Sequence, residues 1–156
     1  MFAQLDTKSV YSFMDSVVDL NSYVARAKEL GYQALGLMDR DNLYAAYHFA
    51  QLASRNGLRP LIGMEANLFY EGRKIPFRLL AKNNQGYKNL MKLATELSSG
   101  QREFTAFSDY LNAIALILPS EDWEPGMTLG SEVFIGVRPE DVGKEFDYPV
   151  VPLHTV

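Results

Sequence analysis

Three carboxylates lie where the chain leaves, or runs within, short apolar stretches. Asp6 follows residues 2–5, Asp39 follows residues 33–38 (QALGLM), and Glu65 lies inside residues 60–70 (PLIGMEANLFY). In open and closed α/β folds the C-terminal ends of strands face the ligand crevice. Acids converging there could hold a hard divalent cation through oxygen alone. Two cations accompany them: Lys8 stands two residues beyond Asp6, and Arg40 follows Asp39 directly. A protonated lysine or arginine has no lone pair to give a metal. If all five groups meet, they leave about one net negative charge, a poor attraction for a dication. The same residues therefore support two readings. One is an oxygen-only metal site on Asp6, Asp39 and Glu65; the other is a set of charges that neutralise one another at strand ends.

Other chemistries find less support. The chain has no cysteine, which removes disulfides, thiolate metal sites and cysteine nucleophiles. Its two histidines, His48 within a helical run of aromatics and His154 near the end, form no pair with metal-ligand spacing. No Ser–His–Asp arrangement is supported by spacing, and Gly-rich phosphate loops are absent. Lys82, Lys88 and Lys92, interleaved with Tyr87 in KNNQGYKNLMK, could touch phosphates, but they fit the solvated side of an amphipathic helix better.

The elements that must position these groups are punctuated clearly. Residues 2–5 read as a first strand. Asp19 and Asn21 offer caps to a helix over residues 22–30, stopped by Gly31. Residues 33–38 read as a buried strand, residues 43–56 as a helix stopped by Gly57, and residues 60–70 and 76–82 as neighbouring strands. A third helix is predicted over residues 84–97, with Tyr87, Leu90, Met91 and Ala94 on its apolar face. Beyond Gly100 the pattern predicts a short helix over 104–111, a strand over 113–118 (AIALIL), a loop over 120–131, and strands over 132–137 and 149–151. A helical turn opens at Pro139. Alternation of strands and helices argues for an α/β architecture with mostly parallel strands.

At 156 residues, with 47% hydrophobic and 22% charged residues, the chain is the size of a single domain with one core. Its net charge of −4 is uneven: 13 basic and 11 acidic residues up to Leu118, then 2 basic and 8 acidic. Bulk charge gives no reason to expect phosphate-backbone binding. The longest apolar run, residues 113–118, is far short of a membrane span, and no basic-then-apolar leader opens the chain, so a cytoplasmic address is expected. The chain stops at Val156, five residues after a predicted strand and with no closing helix, which predicts a piece of a longer protein.

Several segments resemble one family. Residues 59–66 (RPLIGMEA) resemble the K-P-I-I-G-x-E strand of PHP (polymerase and histidinol phosphatase) domains. Residues 79–90 (LLAKNNQGYKNL) resemble the LLAKN-x-x-GY-x-NL segment of the PHP domains at the N-terminus of bacterial DNA polymerase III alpha subunits, of the DnaE-like type. Residues 4–15 (QLDTKSVYSFMD) stand where that family reads H-L-H-x-H-S-x-Y-S-x-x-D, and residues 37–42 (LMDRDN) where it reads L-T-D-H-G-N. Residues 148–156 (YPVVPLHTV) resemble its PVVATNDV strand. The resemblance is strong over residues 1–98 and weak over 100–145, where the chain is shorter than the family pattern.

The resemblance implies a distorted, incomplete TIM-like β/α barrel over residues 1–156. It also implies a pocket at the strand ends that, in intact members, holds up to three divalent ions on histidines and carboxylates. Position by position that pocket is dismantled here. Gln4, Asp6 and Lys8 replace the three histidines of the first motif. Asp39 is kept, but Arg40 replaces the next histidine and Asp41 the glycine. Glu65 is kept, a histidine falls near Pro76, and the last aspartate falls on Thr155. The vestigial pocket is thus Gln4, Asp6, Lys8, Asp39, Arg40 and Glu65, with no catalytic residue and no cofactor. The resemblance implies Mg²⁺ or Mn²⁺ for the whole polymerase only. The implied role is structural: contact with the rest of the alpha subunit and with replisome proteins, and with DNA through the parent protein. The alternative is a residual metal-dependent phosphoesterase or 3′–5′ proofreading exonuclease. Lys8 and Arg40 are expected to pair with Asp6, Asp39 and Glu65 as a salt-bridge plug, which makes Arg40→Ala clearly destabilising.

Overall fold

The lengths of the connections decide the direction of each strand. The computed structural model describes residues 3–12, 18–130 and 132–153. The readings that fall on Phe2, Asp15, Ser131, His154, Thr155 and Val156 lie outside the described residues. Ala3–Gln4 (β1), Ala34–Arg40 (β2) and Arg59–Tyr70 (β3) are separated by helices Leu20–Glu29 (α1) and Ala46–Arg55 (α2), and they pair in parallel. Tyr70 and Arg73 are then joined by only Glu71 and Gly72, with φ of 49° and 80°. Two successive positive φ values make a tight hairpin turn, so Arg73–Ala81 (β4) runs antiparallel to β3. Asn84–Ser98 (α3) and a 3-10 helix at Phe104–Tyr110 carry the chain to Ile114–Pro119 (β5), which is antiparallel to β4. Val133–Val137 (β6) and Val150–Pro152 (β7) add in parallel. The sheet has seven strands in chain order, with β4 the one inverted strand among those described.

Helix boundaries follow local chemistry. The Asp19 carboxylate accepts the Ser22 N–H at 2.9 Å and caps α1, while Gly31 follows the helix at φ 78°. Asn83 caps α3 by accepting the Gly86 N–H at 3.0 Å. The packed face of α3 differs from the sequence expectation. Gly86, Asn89, Leu90, Leu93 and Leu97 are buried, and Met91 is exposed. Two contacts turn the helix. A Cβ on Gly86 would collide with the Ala113 carbonyl, and the Asn89 amide donates to Asn112 O at 2.7 Å. The face is set by a glycine and an asparagine, neither of which an apolar periodicity reveals.

Period-two alternation divides the sheet into two faces. Met64, Ala66 and Leu68 of β3, Ile75, Phe77 and Leu79 of β4, and Ile114, Leu116 and Leu118 of β5 pack outward against α3 and the 3-10 helix. Leu35 and Leu37 of β2 pack outward against α1 and α2. The opposite face carries a second apolar cluster: Met38, Ile117 and Leu153, with Leu5, Leu80, Phe134 and Val151 against them. Residues next to both edge strands meet in that cluster, so the sheet is curled into a half-barrel and its concave side is filled. The fold is the distorted, incomplete barrel expected, with four of six strand pairings parallel.

The concave side is tight. A Cβ at Gly63 would lie 2.8 Å from the Leu79 carbonyl oxygen and 3.0 Å from Met38 Cγ. A backbone oxygen in a paired strand cannot step aside. Gly63→Ala should therefore lower the unfolding free energy by about 1–3 kcal/mol, the usual cost of overpacking. Urea denaturation checks this; an unchanged midpoint would mean that the curl is loose.

Candidate functional site

Parity on β3 places Glu65 on the concave face, and the pairing sets Arg40 of β2 on one side of it and Arg78 of β4 on the other. Asp6 and Lys8 arrive from the segment after β1. Asp6, Lys8, Glu65 and Arg78 are all buried, at 0%, 4%, 3% and 6% exposure. Lys8 Nζ lies 3.0 Å from Asp6 Oδ1 and 2.9 Å from Glu65 Oε2. Arg78 donates through Nε (3.2 Å) and Nη2 (3.0 Å) to Asp6 Oδ2, and Nη2 stands 3.6 Å from Glu65 Oε2. Its Nη1 donates to the Pro76 carbonyl at 2.9 Å. Arg40 Nε reaches Glu65 Oε1 at 3.0 Å from the outside, with 41% of its side chain exposed.

Sequence reasoning singled out four of these five groups, at strand ends or within a strand, and missed Arg78. The signal was there: a cation between Phe77 and Leu79 in an apolar strand must face the other way from both. Two other candidates stand apart from the cluster. Asp39 has the parity of Leu35 and Leu37 and points to the opposite side of β2 from Arg40. It accepts from Ser9 N and Ser9 Oγ, both at 2.6 Å, and from Ser12 Oγ at 2.8 Å. Its partners are a loop's N–H and hydroxyls rather than the expected cations. Gln4 is half-buried at the end of β1, two residues before Asp6. His48 is exposed on α2, and Lys88 and Lys92 lie on the exposed side of α3. Lys82 pairs with Glu132 at 2.9 Å.

The residues present do not fit a divalent ion. Such an ion needs converging oxygens with open lone pairs, yet each carboxylate oxygen of Asp6 and Glu65 already faces an ammonium or guanidinium. The two carboxylates of the cluster, Asp6 and Glu65, meet three cations, Lys8, Arg40 and Arg78, which leaves one net positive charge. Among the described residues, no group of three His, Cys, Asp or Glu side chains is placed to hold a metal.

Comparison with known proteins agrees with the fold and the motifs. The PHP domain family model matches residues 4–124. The chain belongs to the PHP domain family. It is 44% identical over 158 aligned residues to the DNA polymerase III subunit alpha of Streptococcus pyogenes serotype M1, covering 100% of this chain and 15% of that protein. It is 33% identical over 126 residues to the DNA polymerase III subunit alpha of Bacillus subtilis, covering 77% of this chain and 11% of that protein. The chain thus spans a small fraction of the curated relatives it matches. A crystal structure from Bifidobacterium adolescentis, described as a metal-dependent phosphoesterase, superposes with a TM-score of 0.50 at 16% identity, over 60% of this chain and 32% of that one. That likeness shows the fold.

Burial pushes the Glu65 carboxyl up, but Lys8, Arg78 and Arg40 together outweigh it and hold the group below the ordinary glutamate range. A lowered folded pKa means the stabilisation is complete above about pH 4.3, the unfolded value, and is lost as pH falls through the folded one. Stability should therefore drop on acidification below about pH 4, and Glu65→Gln should flatten that drop in urea melts at stepped pH.

Burial also ranks the cations. Removing one member of a buried pair strands its partner and costs about 3–5 kcal/mol, whereas exposed pairs contribute about 0–1 kcal/mol. Lys8→Met and Arg78→Met should each be strongly destabilising, and Arg40→Met nearly neutral. This reverses the emphasis on Arg40 that sequence alone suggested, because Arg40 reaches the cluster from solvent. Equal effects from all three variants would contradict the buried geometry.

Proposed function

We propose that this chain is the N-terminal PHP domain of a bacterial DNA polymerase III alpha subunit, and that an internal ion network has replaced its metal pocket. Its work in DNA replication is then structural. It supports the polymerase body and offers a surface to other replisome proteins in the cytoplasm, and it reaches DNA through the whole protein. The identity to alpha subunits along the entire chain supports the placement. One observation carries the loss of the metal: the Lys8 ammonium lies within 3.0 Å of both Asp6 and Glu65. A divalent ion at that point would displace a buried cation and leave it beside a second positive charge, which the interior penalises heavily.

Nucleotidyl transfer would belong to residues outside these 156. The test is the metal content of the purified chain after incubation with Mn²⁺ and Zn²⁺, beside a nitrophenyl-phosphodiester assay on the same sample. Neither stoichiometric metal nor turnover is expected. One ion per chain, lost in Glu65→Ala, would overturn the reading and restore a phosphoesterase.

A further inference from the structure

The face that holds the ion network continues outward along the β3–β4 hairpin. Glu65, Asn67 and Phe69 share one side of β3, and their partners on β4 are Arg78, Pro76 and Lys74. Beyond the end of β2 this face opens into a cavity of about 430 Å³ lined by Arg40, Asp41, Asn67, Phe69, Lys74 and Arg102. Three cations face one carboxylate there.

Each wall has a defined state. Arg102 is fixed: its Nη1 donates to Asp41 Oδ2 at 2.7 Å and to Asn67 O at 3.2 Å, and its carbonyl accepts the Phe69 N–H at 2.7 Å. Its Nε and Nη2 make no hydrogen bond among the described residues, so donors remain on a guanidinium already held in place. Lys74 is exposed and makes no ion pair among the described residues. The Asn67 side-chain amide likewise has no partner there, and Phe69 is 37% exposed on the wall. Asp41 adopts φ 55°, a left-handed conformation uncommon outside glycine, and its carboxylate meets Arg102 from that position.

We propose that this cavity binds a nucleoside phosphate. A guanidinium fork and an ammonium recognise a doubly charged phosphate. The volume exceeds what a phosphate alone fills and lies in the range of small-ligand sites. Phe69 offers a face for a planar base, and the Asn67 amide offers both a donor and an acceptor for its edge. The assignment uses none of Asp6, Lys8, Glu65 or Arg78 and needs no metal, so it stands or falls apart from the structural role proposed above.

Isothermal titration calorimetry of the chain in EDTA and low salt tests it, with three probes: thymidine 5′-monophosphate, inorganic phosphate and a 5′-phosphorylated oligothymidylate. The nucleotide should bind saturably and more tightly than phosphate. Lys74→Gln, at an exposed site that leaves folding intact, should weaken it by about tenfold or more, the value of one charge-assisted contact. Lys74→Arg should retain binding. Phe69→Ala should weaken the nucleotide and leave phosphate unchanged. Tighter binding of the oligonucleotide than of the free nucleotide would support the pocket and identify a strand end as the source. No saturable binding of any probe, or full affinity in Lys74→Gln, would overturn the proposal. Equal affinity for phosphate and nucleotide would overturn the nucleoside assignment.

Discussion

A buried ammonium between two buried carboxylates braces the curl of this sheet. Lys8 and Asp6 follow the first strand, Glu65 lies on the third and Arg78 on the fourth, so the ion pairs connect strands that are not neighbours in the ladder. Backbone hydrogen bonds fix each strand only to the next. Curling a seven-stranded sheet needs forces across its concave side. Two sets supply them: the apolar contacts of Met38, Ile117 and Leu153, and the ion network beside them. The two differ in character. Apolar packing tolerates small shifts, whereas charge-assisted hydrogen bonds, two from Arg78 to Asp6 Oδ2 and those of a shared ammonium, fix distance and direction more closely.

Such a network is expensive to bury and stabilises only if it is complete. Completeness is what the geometry shows. Both oxygens of Asp6 and both of Glu65 have cationic partners, and the Arg78 Nη1 that Asp6 does not use finds the Pro76 carbonyl. The charges come from four segments far apart in sequence: Asp6 and Lys8 together, then Arg40, Glu65 and Arg78. The concave side is thus closed at this level by side chains, and its integrity depends on Lys8 and Arg78.

Much of this was legible in the sequence, for reasons that can be named. Strand ends located Asp6 and Arg40, because apolar runs bounded by polar residues mark where a buried strand emerges, and Glu65 stood out as a carboxylate inside an apolar strand. The motif resemblance then placed Lys8 among former ligands. Arg78 escaped because PFRLLAK was read only as a neighbouring strand, with no face assigned to its residues, although alternation puts Phe77 and Leu79 on one face and Arg78 on the other. Asp39 was grouped with the wrong side of its strand for the same reason: it keeps the parity of Leu35 and Leu37. The reversal of β4 was encoded in Glu71-Gly72, a two-residue turn with both φ values positive. A pattern of mostly parallel strands does not anticipate that turn.

The inverted strand also explains why the concave face acquires a lip. A parallel crossover after β3 would have sent the chain away over a helix. A two-residue turn instead extends β3 and β4 together as far as Tyr70 and Arg73, well past Arg40, where β2 ends. The vacated edge of β3 is covered by residues 102–103, through Phe69 N–H to Arg102 O and the Phe69–Glu103 bridge. Asp41 marks the switch between the two neighbours. It turns the chain away from β3 at φ 55° while its carboxylate holds the arginine that replaces β2. Arg40, one residue earlier, keeps its Nε on Glu65 and lines the outer cavity as well. A single strand end thus joins the closed ion network to an open, positively charged cleft.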